Sequence, residues 1–249
     1  NNVGPENMVL IDDLISSDGQ NYLLWVDQYE VTNEEFCRFA DETGYLTTAE
    51  QAVSDTLGVV DSTLRPGSLI FKSLDRKQEN WAIASIWIWK EGANWRHPYG
   101  ELNGLKGFED HPVVHISAAD AEAYAAWIGK RLPTMAEWNH IAKMGSFNAK
   151  DIQMNYWTGS FPFLNTKEDG FLYTAPVGTY LPNQLDIYDM RGNVWEICKG
   201  DSDIYFLKGG SFLCDQSYCQ GYKIENSQIL QVNTSLMHTG FRCVKDYNK

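Results

Sequence analysis

The alternation of apolar and polar positions marks only short stretches of this chain as regular, and three helices are marked by their ends. Thr32 with Glu35 forms a capping box ahead of Asn33 to Thr43, closed by Gly44. Ser117 with Asp120, an aspartate variant of the same box, opens an alanine-rich helix to about Ile128, closed by Gly129. Thr134 with Glu137 opens a third, ending at Gly145. Each N-cap oxygen satisfies an amide that the first turn leaves unpaired, and each glycine can take the left-handed conformation that stops a helix. Strands are expected at Asn21 to Val26, Val113 to Ser117, Ala175 to Thr179 and Tyr205 to Lys208, separated by turn dipeptides such as Pro182-Asn183 and Gly192-Asn193. Val53 to Ala93 and Met144 to Thr174 carry neither period. Loops of that length in a compact domain are usually functional, or pinned by metal ions or packed aromatics. With no internal repeat and no linker, the pattern predicts one domain over residues 1–249, of α+β class with high irregular content.

Composition narrows this reading. The chain has 249 residues, 33 acidic against 20 basic, for a net charge of −13. That balance argues against a nucleic-acid binder, which needs a basic stripe. No apolar run approaches the ~18 residues of a membrane helix. Nine Trp, thirteen Tyr and eleven Phe suit a core wedged together by large rings across irregular backbone. Five Cys are too few for a disulfide framework, and the odd count leaves at least one without an intrachain partner. The chain opens at Asn1 without Met or an apolar signal core, so a trimmed N-terminus is expected. The compartment stays open between the cytoplasm and export followed by processing.

Chemistry concentrates in Lys208-Gly-Gly-Ser-Phe-Leu-Cys214-Asp-Gln-Ser-Tyr-Cys219. Cysteines five apart fall on opposite faces of a strand and ~140° apart on a helix, so they converge only on irregular backbone. Two that do converge can form a disulfide, act as a redox pair or bind a soft ion such as Cu(I). Zinc is disfavoured because no nearby Cys or His completes a set of four. Two unrelated small apolar residues remain the bland alternative.

The wider pattern resembles the formylglycine-generating enzyme family of sulfatase-modifying factors nearly end to end. The matching segments are Asp27-Gln-Tyr-Glu-Val-Thr-Asn33, Thr43-Gly-Tyr-Leu-Thr47, Gly92-Ala-Asn-Trp-Arg-His-Pro98 and Asp110-His-Pro-Val-Val-His115. Gly129-Lys-Arg-Leu-Pro-Thr134, Asn165-Thr-Lys-Glu-Asp-Gly-Phe171, Gly192-Asn-Val-Trp-Glu196, the two-cysteine segment and Thr239-Gly-Phe-Arg-Cys243 complete the series. The resemblance implies a fold distantly related to C-type lectins, with little regular structure and bound calcium. It implies an oxidase that converts the cysteine of a Cys-x-Pro-x-Arg segment in a sulfatase to Cα-formylglycine with O2 and Cu(I), acting as a monomer on an unfolded segment. Cys214 and Cys219 match the copper-binding thiols, and Ser211, Trp195 and Tyr218 match the pocket around them.

Two calcium sites are implied as well. Asn155 and Asp169 would supply side-chain oxygens to the first, with carbonyls from Tyr156 and Phe171. Asp189 and Glu196 would do so at the second, with carbonyls from Gly192 and Val194. The chain departs from the family pattern at Asp215, which stands where histidine is usual, and at Gly221 and Lys223, which replace two usual arginines. These departures motivate an alternative reading, a non-catalytic or altered-substrate binding module of the same superfamily. Two further features are read as structural. His111 and His115 flank Pro-Val-Val, so an extended segment would hold the rings ~13 Å apart, and Trp81, Trp87 and Trp89 are expected in the core rather than as a sugar platform.

Overall fold

The helices form where their caps place them: α1 Asn33–Thr43, α2 Ala118–Trp127 and α3 Met135–Met144. The computed structural model describes residues 5–15, 21–53, 64–75, 81–100, 104–144, 153–202 and 204–247. The expected stop at Gly145 therefore lies outside the described residues. At α1 the Glu35 amide donates to the Thr32 hydroxyl at 3.3 Å while the Thr32 amide donates to the Glu35 carboxylate at 2.9 Å. Aspartate serves equally at α2, where the Ser117 amide reaches Asp120 at 2.9 Å. Glu137 accepts from the Thr134 amide at 2.7 Å and also binds Arg131 and the Tyr22 hydroxyl, so the cap of α3 ties the helix to its neighbours.

The strands in chain order are Met8–Ile15 (β1), Asn21–Asp27 (β2), Gly67–Phe71 (β3), Trp87–Glu91 (β4), Gly159–Ser160 (β5) and Leu164–Asn165 (β6). Trp195–Lys199 (β7), Tyr205–Lys208 (β8), Gln228–Leu230 (β9), Thr239–Gly240 (β10) and Val244–Asp246 (β11) follow. They pair as β1-β2-β11, β10-β7-β8-β9, β3-β4 and β5-β6. Two expected strands are present, β2 and β8. Val113 to Ser117 is not a strand: the Val113 amide pairs with Val31, and His115 takes a left-handed φ of 59°. The segment is thus not extended through His115, and its two rings go to different partners, His111 to Thr174 and His115 to the Pro98 carbonyl. Ala175 to Thr179 is instead a turn, with the Thr179 amide on the Pro176 carbonyl. Conversely, the β3-β4 hairpin lies inside the stretch read as aperiodic. Trp87-Ile-Trp-Lys-Glu sets bulky apolar residues at successive positions, so no alternation marks it, and Trp89 is 38% exposed rather than in the core.

Three apolar clusters fill the interior. One packs α1 and α2 through rings, with Phe36 edge-on to Trp95 at 5.1 Å and stacked near Tyr124 at 5.7 Å; such pairs add about 0.5–1.5 kcal/mol each beyond burial. A second joins α3 to β1 and β2. The third is aromatic and surrounds a cavity. This is an α+β fold with little regular secondary structure, as expected. Among the described residues no helix is long and apolar enough to cross a membrane.

Candidate active site

Strand β8 ends at Lys208, and the chain turns through Gly209 and Gly210, both at positive φ, into a loop that returns as β9. Hydrogen bonds lock the start of that loop: the Phe212 amide donates to Asn193, the Cys214 amide to Ser211 and the Trp157 amide to Cys214. The result is a cavity of about 300 Å³ lined by Ser211, Cys214, Tyr218, Cys219, Trp195 and His238, among others. All five residues assigned to catalysis by resemblance, four from this loop and Trp195 from β7, thus share one cavity. Cys214 and Cys219 converge, with Cα atoms 5.3 Å apart, and are joined in a disulfide. Of the outcomes open to a converging pair, the oxidised one is present here. Cys37, Cys198 and Cys243 are free. Tyr218 stacks on Phe161 at 4.4 Å, and burial raises its phenol above the ordinary value.

The departures from the family pattern have local explanations. Asp215 accepts from the Ser217 amide and hydroxyl and from the Tyr218 amide at 2.7–2.9 Å, capping the turn that presents Tyr218 and Cys219. It lines a neighbouring polar cavity with Glu168 and Ser217, not the cysteine cavity. Gly221 lies so close to Trp195 that a Cβ would fall 2.2 Å from the ring, so arginine there requires a different loop path. Lys223 reaches outward to the Gln220 side chain.

Successive side chains of a strand point to opposite faces. Trp195 lines the cavity, while Glu196 enters a charged knot on the other side of β7. Arg242, fully buried, donates to both Glu196 oxygens at 2.7 Å and to the carbonyls of Asp27, Gln28 and Tyr188; Trp138 adds its indole N–H at 2.8 Å. Asp189, at the same proposed calcium site, accepts from the Gly178 amide at 2.9 Å, and burial, reinforced by the Glu196 charge, pushes its carboxyl up to about 6. Three buried carboxylates, Glu30, Asp189 and Glu196, thus surround a single guanidinium.

At the other proposed calcium site, Asn155 donates to the Tyr173 carbonyl at 2.8 Å and to the Asn193 side chain at 3.1 Å. Its own Oδ1 is buried with no hydrogen-bond partner among the described residues. Asp169 accepts from the Tyr156 and Phe171 amides at 2.9 and 3.2 Å. An oriented, orphaned amide oxygen suits a hard cation, and so does an excess of buried carboxylate over guanidinium. Among the described residues no three His, Cys, Asp or Glu side chains converge to hold a metal, so a cation at either proposed site would need the carbonyls the resemblance implies: Tyr156 and Phe171 at one, Gly192 and Val194 at the other.

Two residues escaped the sequence reading. Glu30 is 1% exposed; one oxygen accepts from Asn193 at 3.0 Å and the other has no partner among the described residues. Burial, with repulsion from Asp189 and Glu196, raises its carboxyl well above the usual range. The signal available was its place in Tyr-Glu-Val-Thr-Asn, one of the matching segments. His238 lines the cysteine cavity, its Nδ1 buried without a partner among the described residues and its ring 4.9 Å from Trp87. Burial, aided by His115, holds it down at about 3 and therefore neutral.

A cysteine pair in a cavity walled by aromatic rings, on a loop-rich α+β scaffold, defines a sulfatase-modifying-factor domain. The sulfatase-modifying factor enzyme 1-like domain model matches residues 20–247, and the chain belongs to that family. It is 36% identical to the formylglycine-generating enzyme of Bos taurus over 252 residues, which cover 90% of this chain and 66% of that one. It is 33% identical over 243 residues to the inactive C-alpha-formylglycine-generating enzyme 2 of the same species, covering 88% and 73%. Among solved structures, PvdO from Pseudomonas aeruginosa shares the fold with a TM-score of 0.57 at 17% identity, covering 96% of this chain and 92% of that one.

Proposed function

We propose that the protein is a copper-dependent oxidase that uses O2 to convert the cysteine of a sulfatase Cys-x-Pro-x-Arg segment to Cα-formylglycine. The observation that carries this reading is the convergence of Cys214, Cys219, Ser211, Trp195 and Tyr218 on one cavity. Exchange of the disulfide with an external thiol reductant, which supplies two electrons and two protons and is itself oxidised to a disulfide, frees two soft thiol ligands that the backbone already holds together. Cys214 and Cys219, as thiolates, would hold Cu(I), which would supply the one-electron chemistry with O2 that protein side chains lack. The remaining roles belong to the chain. Ser211 accepts the Leu213 amide at 3.2 Å, which leaves its hydroxyl hydrogen free to donate toward a polar atom in the cavity. Trp195, Tyr218 and Phe161 wall the space beside the cysteine pair and make that side of it apolar. His238 stays neutral, so it adds no charge to an apolar site.

In the same reading, calcium occupies the two oxygen sites, with Glu30 adding a carboxylate beside Asp189 and Glu196. Its role is structural: it pins the segments that carry Trp157 and Trp195.

The test is conversion of a Cys-x-Pro-x-Arg peptide by the reduced protein with Cu(I) in air, read as the mass change from a thiol side chain to an aldehyde. Wild-type protein should convert the peptide, and Cys214→Ser and Cys219→Ser should not. An unmodified peptide, with copper binding verified, would reject oxidation of that substrate and favour the binding-module alternative.

A further inference from the structure

Lys208 is 1% exposed at the end of β8. Its ammonium donates to the carbonyls of Ile224 at 2.5 Å and Asn226 at 2.8 Å, and lies 5.3 Å from the ring centroid of Trp138. A buried ammonium is costly unless its hydrogen bonds are met, and here two neutral carbonyls of one loop meet them. Ser211, Cys214, Tyr218 and Cys219 all lie between these anchor points. Within the closed loop Gly221 also lies against Trp195, which lines the cavity.

We propose that Lys208 is a positioning residue for the cysteine pair: by tying residue 208 to residues 224 and 226, it sets how closely the Cys214 and Cys219 sulfurs are held. Two consequences differ in what they assume. The affinity of the reduced pair for Cu(I) rests on the oxidase reading. The equilibrium with glutathione does not: two protein S–H groups become one S–S bond while glutathione disulfide is reduced to two thiols, so electrons and protons balance within the exchange. Its equilibrium constant reports the effective concentration of one thiol at the other.

The experiment compares wild type with Lys208→Met, which keeps the aliphatic stem and removes the donor, and with Lys208→Arg, which keeps donors. Phe39→Leu, in the ring cluster of α1, is a destabilised control that leaves the loop closed. Lys208→Met should lower the glutathione equilibrium constant of the 214/219 pair about tenfold, the value of one hydrogen bond to a charged group, and lower Cu(I) affinity in parallel. Lys208→Arg should recover most of the loss, and Phe39→Leu should leave both quantities at the wild-type value. If Lys208→Met does not fold, Lys208→Gln, with a shorter amide donor, should give an intermediate fall. A folded Lys208→Met or Lys208→Gln protein with the wild-type glutathione constant overturns the proposal, as does an equal fall in Phe39→Leu. Should wild type bind no Cu(I), the oxidase reading fails, while the glutathione constants still decide the role of Lys208.

Discussion

Trp195 and Glu196 are neighbours on one strand, yet the regions they enter are built on opposite principles. The cavity side is apolar and sparsely partnered: beyond their mutual bond its two sulfurs receive one backbone amide, from Gly221 to Cys219, and His238 keeps a buried nitrogen without a partner among the described residues. On the knot side the Arg242–Glu196 pair is saturated, although one Glu30 oxygen beside it has no partner among the described residues: Arg242 meets two carboxylate oxygens and three carbonyls, and Trp138 meets Glu196 again. Unspent bonding capacity is what a reactive site needs. A fixed platform behind it needs the reverse, and the pleat of β7 lets one strand serve both.

The largest effect should come from breaking the platform. Arg242→Met leaves Glu196 buried beside Glu30 and Asp189 with no guanidinium, and removing one partner of a buried pair typically costs about 3–5 kcal/mol. Urea unfolding should show that loss. A change below about 1 kcal/mol would mean that the knot behaves like a surface ion pair.

Calcium should act next. An ion that binds only the folded state stabilises it by about 2.7 kcal/mol at a hundred times its Kd, so calcium should raise the Tm of metal-stripped protein, with Trp157 and Trp195 fluorescence following the same transition. Asp169→Ala and Glu196→Ala should each remove part of the gain, because the two sites share it. A Tm indifferent to calcium would show that aromatic packing alone pins these loops.

The smallest effect distinguishes the two sides by the sign of their pH dependence. On the cavity side, burial depresses His238 to about 3 and His115 to about 4, below the ~6.5 of an unfolded histidine. The unfolded state therefore binds more protons over that window, and stability is complete above about pH 6.5 and falls as the pH drops. On the knot side, burial raises Asp189 to about 6 and Glu30 well above its usual value. Without metal, the folded state holds those protons longer, so this contribution is present at low pH and is lost as the pH rises from about 4 to 6. In Tm scans of metal-stripped protein, His238→Asn should weaken the acid-side loss and Asp189→Asn the opposing one. Identical pH profiles for both variants would remove the distinction.

What the sequence could reveal follows the range of the interactions involved. The caps of α1, α2 and α3 involve residues three apart, so Thr32 with Glu35 and Thr134 with Glu137 are legible locally. The β3-β4 pair is not, because its sides carry no alternation and its register is set across an intervening segment. Val113 to Ser117 reads as a strand from its apolar residues, and only tertiary contact reveals the left-handed turn at His115. The cysteine cavity is legible through the matched motifs, not through spacing alone. Glu30 reads as an ordinary acidic position because the groups that bury it, Asn193 and Arg242, lie far along the chain.

The central claim is that the cysteine pair, when reduced, is a soft-ion site. Cu(I) stoichiometry, measured by competition with a chromophoric chelator, tests it in one protein in two states. The reduced form should bind one Cu(I) tightly, and the form with the Cys214–Cys219 disulfide intact should bind none. Equal binding by both forms would place the copper elsewhere and contradict the account.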